Sequence, residues 1–254
     1  MQPETRRVLI TGAGSGIGRA LAIEASVRGW TVALCGRRSA ALEQTAALMR
    51  KEAVVLVMPA DVTSPVSRAR LSETVAASWG TLDILINNAG QVRAGRLADT
   101  PDHQLELLFA TNVIAPMALT REFLPLLKAG TGGRVVNIGS VFGDIPYPNF
   151  TAYSATKSAL SAFSSALRRE CRHEGISVTH ISPRATDTQA ASVLEASDTG
   201  RQSKLDPPEV VAKLVWDAID RGRKAAISKG PERYFVLLQN LFPHLIDRAL
   251  SRSA

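Results

Sequence analysis

The chain has 254 residues and a formal net charge of +7 at pH 7, with 45% hydrophobic and 21% charged residues. This length suits one large α/β domain or at most two small ones, and the composition is that of a soluble globular protein. No apolar run reaches membrane-spanning length, and MQPETRRVLI leads into a strand-like segment without a signal-peptide core. We therefore expect a cytoplasmic protein.

The positive charge, with a pI near 9.8, favours an acidic substrate, cofactor or partner. Nucleic acid is a poor fit because the basic residues are scattered in pairs, with only three Trp and three Tyr to interleave. Cys35 and Cys171 lie far apart, as expected in a reducing compartment. Neither has a second ligand at metal-binding spacing, so no metal site is predicted.

Apolar, β-branched runs alternate with helical patterns along the whole chain. Nearly continuous hydrophobic strands separated by helices predict a parallel sheet covered on both faces. We find no repeat and no linker, so residues 1–254 are predicted to form a single Rossmann-like, doubly wound α/β domain of about seven strands. The main predicted strands are Arg7–Thr11, Thr31–Cys35, Val54–Ala60, Asp83–Asn87, Arg134–Ile138 and Ile176–Ser182.

A glycine-rich turn, TGAGSGIGRA, follows the first predicted strand and leads into a helix. Its glycines allow a tight turn and a close approach to phosphate, and the new helix offers free N–H groups. The spacing Thr11-Gly12-x3-Gly16-x-Gly18 matches neither G-x-G-x-x-G nor the P-loop. Its place in an alternating chain favours dinucleotide binding over a turn without a ligand.

The second predicted strand ends in CGRR, Cys35 to Arg38. In dinucleotide-binding folds an acidic residue here holds the ribose hydroxyls, whereas arginine accepts a 2′-phosphate. Gly36 occupies the acidic place, and Arg37 and Arg38 follow it. The pattern favours NADP(H) over NAD(H), and the alternative is that both arginines only solvate a helix start.

The segment YSATK places Tyr153 and Lys157 four residues apart in a predicted helix. Such side chains share one face, where an ammonium group would lower the pKa of the phenol. Taken alone, the pair is more typical of a solvated helix surface than of a proton-transfer site.

Taken together, these motifs make the sequence similar to the short-chain dehydrogenase/reductase family from about Arg7 to about Ile227. TGAGSGIG, Asp61-Val62, NNAG at Asn87 to Gly90, Asn112 in TNVIAP, Ser140 in NIGS and YSATK occur in the family's order. The resemblance implies a hydride transfer between NADP(H) and a carbonyl or secondary alcohol. It also implies cofactor contacts from Gly12, Ser15, Gly16, Ile17, Gly18, Arg37, Arg38, Asp61, Val62, Asn88, Ala89, Gly90, Tyr153, Lys157, Pro183, Thr186 and Thr188.

Asn112, Ser140, Tyr153 and Lys157 match the family's catalytic tetrad. A carbonyl oxygen that gains negative charge needs a hydrogen bond and then a proton. The resemblance implies that Tyr153 donates this proton, that Ser140 orients the substrate oxygen and that Lys157 lowers the pKa of the phenol and binds the nicotinamide ribose. Asn112 would link Lys157 to solvent through water, or else be a helix-packing amide.

The sequence departs from the family after the sixth strand, where SPRATDT has Arg184 in place of a usual glycine. This cation would either enter the active site or point outward with an altered backbone. The polar stretch that follows occupies the place of the family's substrate lid, so we predict a mobile lid near residues 185–206. Val141, Phe142, Tyr147 and Phe150 are predicted to line an apolar substrate pocket or only to pack within their loop.

A C-terminal extension follows AAISKG, and we predict a helix near residues 231–250. Tyr234, Leu237, Leu238, Leu241 and Phe242 form an apolar stripe at helical spacing. Packing on the domain or on a sister subunit is favoured over contact with a membrane surface.

The expected partners are a carbonyl or alcohol substrate, including a 3-oxoacyl thioester on an acidic acyl carrier protein, and copies of the chain in a homodimer or homotetramer. A non-catalytic NADP(H)-binding sensor is the alternative function.

Overall fold

A computed structural model describes residues 6–188 and 205–251. Its centre is a seven-stranded sheet in which every neighbouring pair is parallel, in the order β3-β2-β1-β4-β5-β6-β7. This confirms the predicted doubly wound α/β fold. The strands are β1 Arg7–Thr11, β2 Thr31–Gly36, β3 Val55–Pro59, β4 Ile84–Asn87, β5 Arg134–Ile138, β6 Ser177–Ser182 and β7 Ala225–Ile227.

Helices connect the strands and cover both faces of the sheet. They are α1 Gly16–Val27, α2 Ser39–Ala47, α3 Pro65–Trp79, α4 Asp102–Phe109, α5 Ala115–Ala129, α6 Val141–Asp144, α7 Thr151–Glu170, α8 Pro208–Asp220, α9 Glu232–Leu241 and α10 Pro243–Leu250. The hydrophobic core accordingly has two parts. Leu21 and Trp216 are buried in one, and Phe123 and Leu167 in the other.

The strand order reverses beside β1, which pairs with β2 on one side and β4 on the other. Such a reversal opens a crevice at the carboxyl ends of the strands, where ligands bind in open α/β sheets. The loops after β1, β2, β4 and β5 carry the motifs singled out in the sequence, so the fold brings them to this one edge.

The helix from Asp102 to Ala129 changes to π geometry at Ala110–Ile114, just before Pro116. Asn112 lies within this π-helical turn. At 28 residues the helix is also long and apolar enough to cross a membrane, contrary to the sequence expectation, but half of its most apolar 18-residue stretch is buried within the protein. Helices of this length and composition also occur in protein cores, and the buried face of this one packs there.

The C-terminal extension forms two helices, α9 and α10, because Pro243 begins a new helix after Phe242. Their buried residues are Val236 and Ile246. Of the contacts predicted for the stripe, the one with its own domain is absent for Tyr234, Leu237, Leu241 and Phe242, which are 50–61% exposed, and contact with a sister subunit or a membrane surface stays a prediction. The helices turn different residues inward, and the predicted stripe faces outward.

Candidate active site

A cavity of about 370 Å³ lies at the carboxyl ends of β1, β2 and β4. We call it the cofactor cleft. Most of the predicted cofactor residues line it: Gly12, Ser15, Gly16, Ile17, Arg37, Arg38, Asp61, Val62, Asn88, Ala89, Gly90, Tyr153, Lys157 and Thr188. The motifs dispersed along the sequence therefore meet around one elongated space.

The glycine-rich turn forms the wall of this cleft at the start of α1. Gly12 and Gly16 have positive φ angles of 66° and 50°, which side-chain-bearing residues rarely adopt. Gly18 lies outside the lining, and a Cβ atom there would come within 2.2 Å of the Gly12 carbonyl oxygen. Gly18 therefore allows α1 to pack against the turn and does not itself face the cleft.

The start of α1 suits an anionic group. Ser15 is the N-cap, makes no side-chain capping bond, and is followed by no acidic residue in the first turn. Free N–H groups at a helix N-terminus attract phosphate through hydrogen bonds and the helix dipole. The glycine cradle and this N-terminus together fit the pyrophosphate of a dinucleotide.

Arg37, Arg38 and Asp61 line the adenosine end of the cleft that the resemblance implies. The Asp61 carboxylate accepts hydrogen bonds from Thr63 N at 2.9 Å and Thr63 Oγ1 at 2.7 Å. Burial opposes ionisation of Asp61, but these bonds and the Arg37 charge hold its pKa below the ordinary value. The carboxylate is thus fixed by its own loop, and the two arginines supply positive charge beside it.

A smaller cavity of about 110 Å³ adjoins the cleft and contains Ser140, Val141, Phe142, Pro183, Arg184 and Thr186 in its lining. We call it the substrate pocket. Tyr153 lines both spaces, as do Ile17, Val92, Gly139 and Thr188. The phenol therefore stands at the junction of the two, where a reacting carbonyl would meet a cofactor.

Desolvation raises the pKa of Tyr153 to about 12. The neighbouring Ser140 hydroxyl lowers the pKa of Tyr153, but not enough to offset that desolvation. The expectation of a lowered phenol pKa is thus wrong for this structure because desolvation outweighs the opposing effect. At neutral pH the phenol retains its proton.

Lys157 is buried behind Tyr153, with 6% of its surface exposed. Its Nζ donates a 2.9 Å hydrogen bond to the Ile138 carbonyl oxygen and lies 5.7 Å from the centre of the Tyr153 ring. Burial lowers the pKa of Lys157 to about 8. Lys157 remains largely protonated at pH 7 and places a positive charge next to the phenol.

Asn112 lies in the π-helical turn and clamps the loop that follows β4. Its Oδ1 accepts from Gln91 N at 2.8 Å, while its Nδ2 donates to the Gln91 carbonyl at 2.8 Å and to Thr156 Oγ1 at 3.1 Å. A Cβ at Gly90 would lie 3.3 Å from Asn112 Oδ1 and 3.6 Å from Lys157 Nζ. The amide thus connects the loop beneath the cleft to the helix that carries Tyr153 and Lys157.

Pro183 and Thr186 line the substrate pocket only, whereas Thr188 also reaches the cofactor cleft. Arg184 forms ion pairs with Asp206 and Glu232 and is 15% exposed. The predicted lid falls mostly on residues 189–204, which are outside the described part of the chain. At its ends, Thr186 and Asp206 form an isolated parallel bridge.

The aromatic residues before YSATK divide between pocket and core. Phe142 lines the substrate pocket and stacks on Tyr147 with ring centroids 5.3 Å apart. Phe150 is 1% exposed and packs behind Phe142 at 5.0 Å. Phe142 and Val141 give the pocket its apolar wall, and Phe150 supports them from the core.

The cleft residues that sequence reasoning missed include Thr63, Gln91, Val92 and Thr111. Each lies next to a recognised motif, but none carries chemistry that distinguishes it from a neighbour in the sequence. Asn87, the first residue of NNAG, donates from Nδ2 to Asn137 Oδ1 at 2.8 Å and to Thr120 Oγ1 at 3.2 Å. Within residues 6–188 and 205–251, no group of three or more His, Cys, Asp or Glu side chains could hold a metal ion.

Comparison with known proteins identifies this architecture. The family described as short chain dehydrogenase matches residues 6–198. An uncharacterized oxidoreductase of Staphylococcus aureus is 31% identical over 208 residues, covering 82% of this chain and 88% of that protein. A short-chain dehydrogenase from Sphingobium yanoikuyae in complex with NADPH is 28% identical, with a TM-score of 0.81 and 95% of each chain covered.

A short-chain dehydrogenase/reductase from Burkholderia phymatum in complex with NAD has a TM-score of 0.87 over 96% of each chain. At 24% identity it shows the shared fold alone. The chain belongs to the short-chain dehydrogenase/reductase family. It is an oxidoreductase of the type that acts on CH–OH or C=O groups.

Proposed function

We propose that the protein is an NADP(H)-dependent reductase of ketones, which can also oxidise the corresponding secondary alcohols. The observation that carries this proposal is the position of Tyr153. Its hydroxyl lies near Ser140 at the junction of the cofactor cleft and the substrate pocket, with Lys157 behind it. A purely binding protein has no need of a proton donor at that point.

The cofactor, when bound, supplies or accepts the hydride. In the reduction, Ser140 Oγ holds the substrate carbonyl oxygen in line with Tyr153, and the phenol transfers its proton to that oxygen as negative charge develops. The high pKa of Tyr153 ensures that the proton is present at neutral pH. Lys157 stabilises the resulting phenolate and is the proposed partner of the nicotinamide ribose hydroxyls.

Asn112 holds the loop of Asn88, Ala89 and Gly90 beneath the cofactor through Gln91. In the family's relay, a water beside Asn112 would return a proton to Lys157. The proposed cofactor contacts include Gly12, Ser15, Gly16 and Ile17 at the pyrophosphate, Asp61 and Val62 at the adenine, and Pro183, Thr186 and Thr188 near the nicotinamide.

The choice of NADP(H) rests on the end of β2. Gly36 provides no carboxylate for the ribose, and Arg37 and Arg38 line the cleft beside it. Guanidinium groups match phosphate geometry, so a 2′-phosphate gains two positive neighbours.

The substrate pocket is lined by Val141 and Phe142, which suits an apolar substrate body. A 3-oxoacyl thioester on an acidic carrier protein remains a specific proposal, supported by the net charge of +7. The assay is a panel of ketones and 3-oxoacyl thioesters followed by loss of NADPH absorbance. Turnover of at least one class supports the reductase, whereas tight NADPH binding with no turnover across the panel would favour the sensor.

Self-association and a cytoplasmic location are further parts of the proposal. Ile114 and Met117 are 58% and 42% exposed on the helix that carries Asn112, which leaves an apolar face for a second copy of the chain. Cys35 and Cys171 are free and buried, as expected for a protein of a reducing compartment. The exposed stripe of the C-terminal extension supports either a further subunit contact or a membrane contact.

A further inference from the structure

Arg184 is held by two carboxylates from distant parts of the chain. Its Nη1 lies 3.5 Å from Asp206 Oδ1, and its Nη2 lies 3.1 Å from Glu232 Oε1. The three side chains are 15%, 16% and 25% exposed, so the cluster is largely shielded from water. Ion pairs in such surroundings are screened less by salt than surface pairs are.

The cluster joins three segments. Arg184 belongs to the segment 183–188 that follows β6, Asp206 lies just before α8, and Glu232 begins α9 in the C-terminal extension. Main-chain bonds already pair the first two segments, from Asp206 N to the Ala185 carbonyl and from Asp187 N to the Asp206 carbonyl, each at 2.9 Å. The Glu232 carboxylate therefore connects the C-terminal extension to two segments that are already hydrogen bonded to each other.

Segment 183–188 lies where its position matters for chemistry. Pro183, Thr186 and Thr188 line the substrate pocket beside Tyr153, and Thr188 also lines the cofactor cleft. Thr186 Oγ1 donates to the Arg184 carbonyl at 2.9 Å, so the arginine main chain and the threonine side chain are directly connected. A displacement of Arg184 would therefore move the residues at the junction of the two cavities.

Gly230 makes room for the Glu232 carboxylate. A Cβ at this position would lie 2.3 Å from Glu232 Oε2. Because that oxygen is the end of a flexible side chain, an added methyl group would displace the carboxylate without a main-chain collision. An alanine at Gly230 therefore gives a second way to disturb the ion pair.

Both Nη atoms of Arg184 already form ion pairs within the protein. A substrate anion in the pocket would have to compete with two carboxylates already in place. Arg184 is thus better suited to organising the pocket than to binding a substrate charge.

We propose that Arg184 is a positioning residue that, through Glu232, makes the C-terminal extension part of the cofactor-binding unit. The ion pair holds segment 183–188 against the end of the cleft at Tyr153, where the nicotinamide would lie. The adenosine end, formed by Arg37, Arg38 and Asp61, contains none of the three residues of the cluster. This inference rests on the proposed dinucleotide binding.

The test compares Glu232→Gln with Asp247→Asn, which removes the same charge from an exposed position of the same extension. Titration calorimetry measures the dissociation constants of NADP⁺ and of adenosine 2′,5′-bisphosphate, which lacks the nicotinamide. NAD⁺ and AMP are titrated in parallel. We expect Glu232→Gln to weaken binding of the whole dinucleotide by about tenfold or more, as the loss of a charge-assisted contact predicts.

The adenosine fragments should bind the wild type and Glu232→Gln equally well, and Asp247→Asn should change neither constant. Gly230→Ala should reproduce the Glu232→Gln pattern. An equal loss of affinity for dinucleotide and fragment would show a general structural effect and overturn the inference, as would unchanged affinity for both.

The proposed reductase activity can fail separately. If the wild type binds NADP⁺ or NAD⁺ but reduces no ketone, the proposed function fails while the positioning role is still decided by these titrations. A wild type that binds neither dinucleotide would overturn both.

Discussion

Lys157 donates a hydrogen bond of 2.9 Å from its Nζ to the main-chain carbonyl oxygen of Ile138, the last residue of β5. Two residues further on, the Ser140 hydroxyl is a neighbour of the Tyr153 phenol and lowers its pKa against the effect of burial. The end of one strand therefore fixes both the charge behind the phenol and the hydroxyl in front of it. This is achieved at the expense of burying an ammonium group, which lowers its pKa to about 8.

The first prediction concerns Lys157→Met, which removes the charge but keeps most of the side-chain volume. Turnover should be lost and NADP(H) should bind more weakly, because the phenolate and the ribose both lose their proposed partner. Steady-state kinetics and cofactor titration measure the two effects. Unchanged cofactor affinity would contradict the ribose role.

The same variant should alter the pH dependence of stability. The folded pKa of Lys157 lies near 8, below the ordinary value of 10.5. The contribution of Lys157 to folding stability is therefore full above pH 10.5 and is lost as pH falls towards 8. The melting temperature of wild type relative to Lys157→Met should therefore rise between pH 8 and pH 10. A constant difference across this range would contradict the burial effect.

The second prediction concerns His180, which is buried beside Ser164 with Nδ1 and Oγ 3.2 Å apart. Burial, together with the charges of Lys157 and Arg168, lowers the pKa of His180 to about 4. Its contribution to stability is full above pH 6.5 and is lost as pH falls to about 4. Each pKa unit corresponds to about 1.4 kcal/mol, so the loss is on the order of 3 kcal/mol.

Denaturant unfolding of wild type and His180→Gln at several pH values measures this loss. The variant should lack the part of the acid destabilisation that falls between pH 6.5 and 4. Parallel curves for the two proteins would show that the histidine does not titrate as described.

The sequence was sufficient to predict the parallel sheet, the cleft and many of the residues around it. Alternating apolar runs determine the sheet, and the carboxyl-end rule places Gly12, Asp61 and Ser140 along one edge. The motif residues could be found because each combines an unusual residue type with a position after a strand. Gly18 shows the limit of this reasoning, since a glycine required for packing and one that faces a ligand are alike in sequence.

What could not be predicted depends on tertiary environment. The pKa of Tyr153 follows from the balance between burial and neighbouring groups, and helical spacing alone gave the wrong direction. The partners of Arg184 lie 22 and 48 residues away, and no local pattern connects them. In the C-terminal extension, the break before Pro243 determines which apolar residues turn inward, so helical spacing could not tell whether the stripe packs on its own domain.

The third prediction concerns cofactor choice. Combining Gly36→Asp with Arg37→Gln should shift preference from NADP(H) towards NAD(H), by adding a ribose acceptor and removing a phosphate partner. A charge-assisted contact is worth roughly 1.5–3 kcal/mol, or about one to two decades in affinity. Titrations with NADP⁺ and NAD⁺ measure the ratio.

Gly36→Ala is the control for the added side chain, because a Cβ there would lie 3.3 Å from Leu42 Cδ2. It should leave the cofactor ratio unchanged. If wild type already prefers NAD⁺, the interpretation of CGRR is wrong.

The fourth prediction concerns self-association. The double variant Ile114→Glu and Met117→Glu should reduce the mass seen by light scattering, because charge on an apolar subunit contact opposes association. Leu48→Glu provides a control at an exposed apolar position on another helix end, and it should keep the wild-type mass. A wild type that is already monomeric would contradict the proposed assembly.

Leu237→Glu together with Leu241→Glu tests the apolar stripe in the same way. A lower mass would assign the stripe to a subunit contact. Unchanged mass with lost binding to anionic vesicles would assign it to a membrane surface.

The central claim is tested most directly by Tyr153→Phe. The ring keeps its contacts with Phe142 and Phe150, at 6.3 Å and 6.5 Å between centroids, so only the proton donor is removed. With a ketone substrate identified by the NADPH assay, kcat should fall by about 10²–10⁴-fold, as expected for loss of general acid catalysis. The dissociation constant of NADPH should stay within about twofold of wild type. The substitution removes one phenol hydroxyl, and a single hydrogen bond from it would contribute little to cofactor affinity. Turnover close to that of wild type would contradict the assignment of Tyr153 as the proton donor.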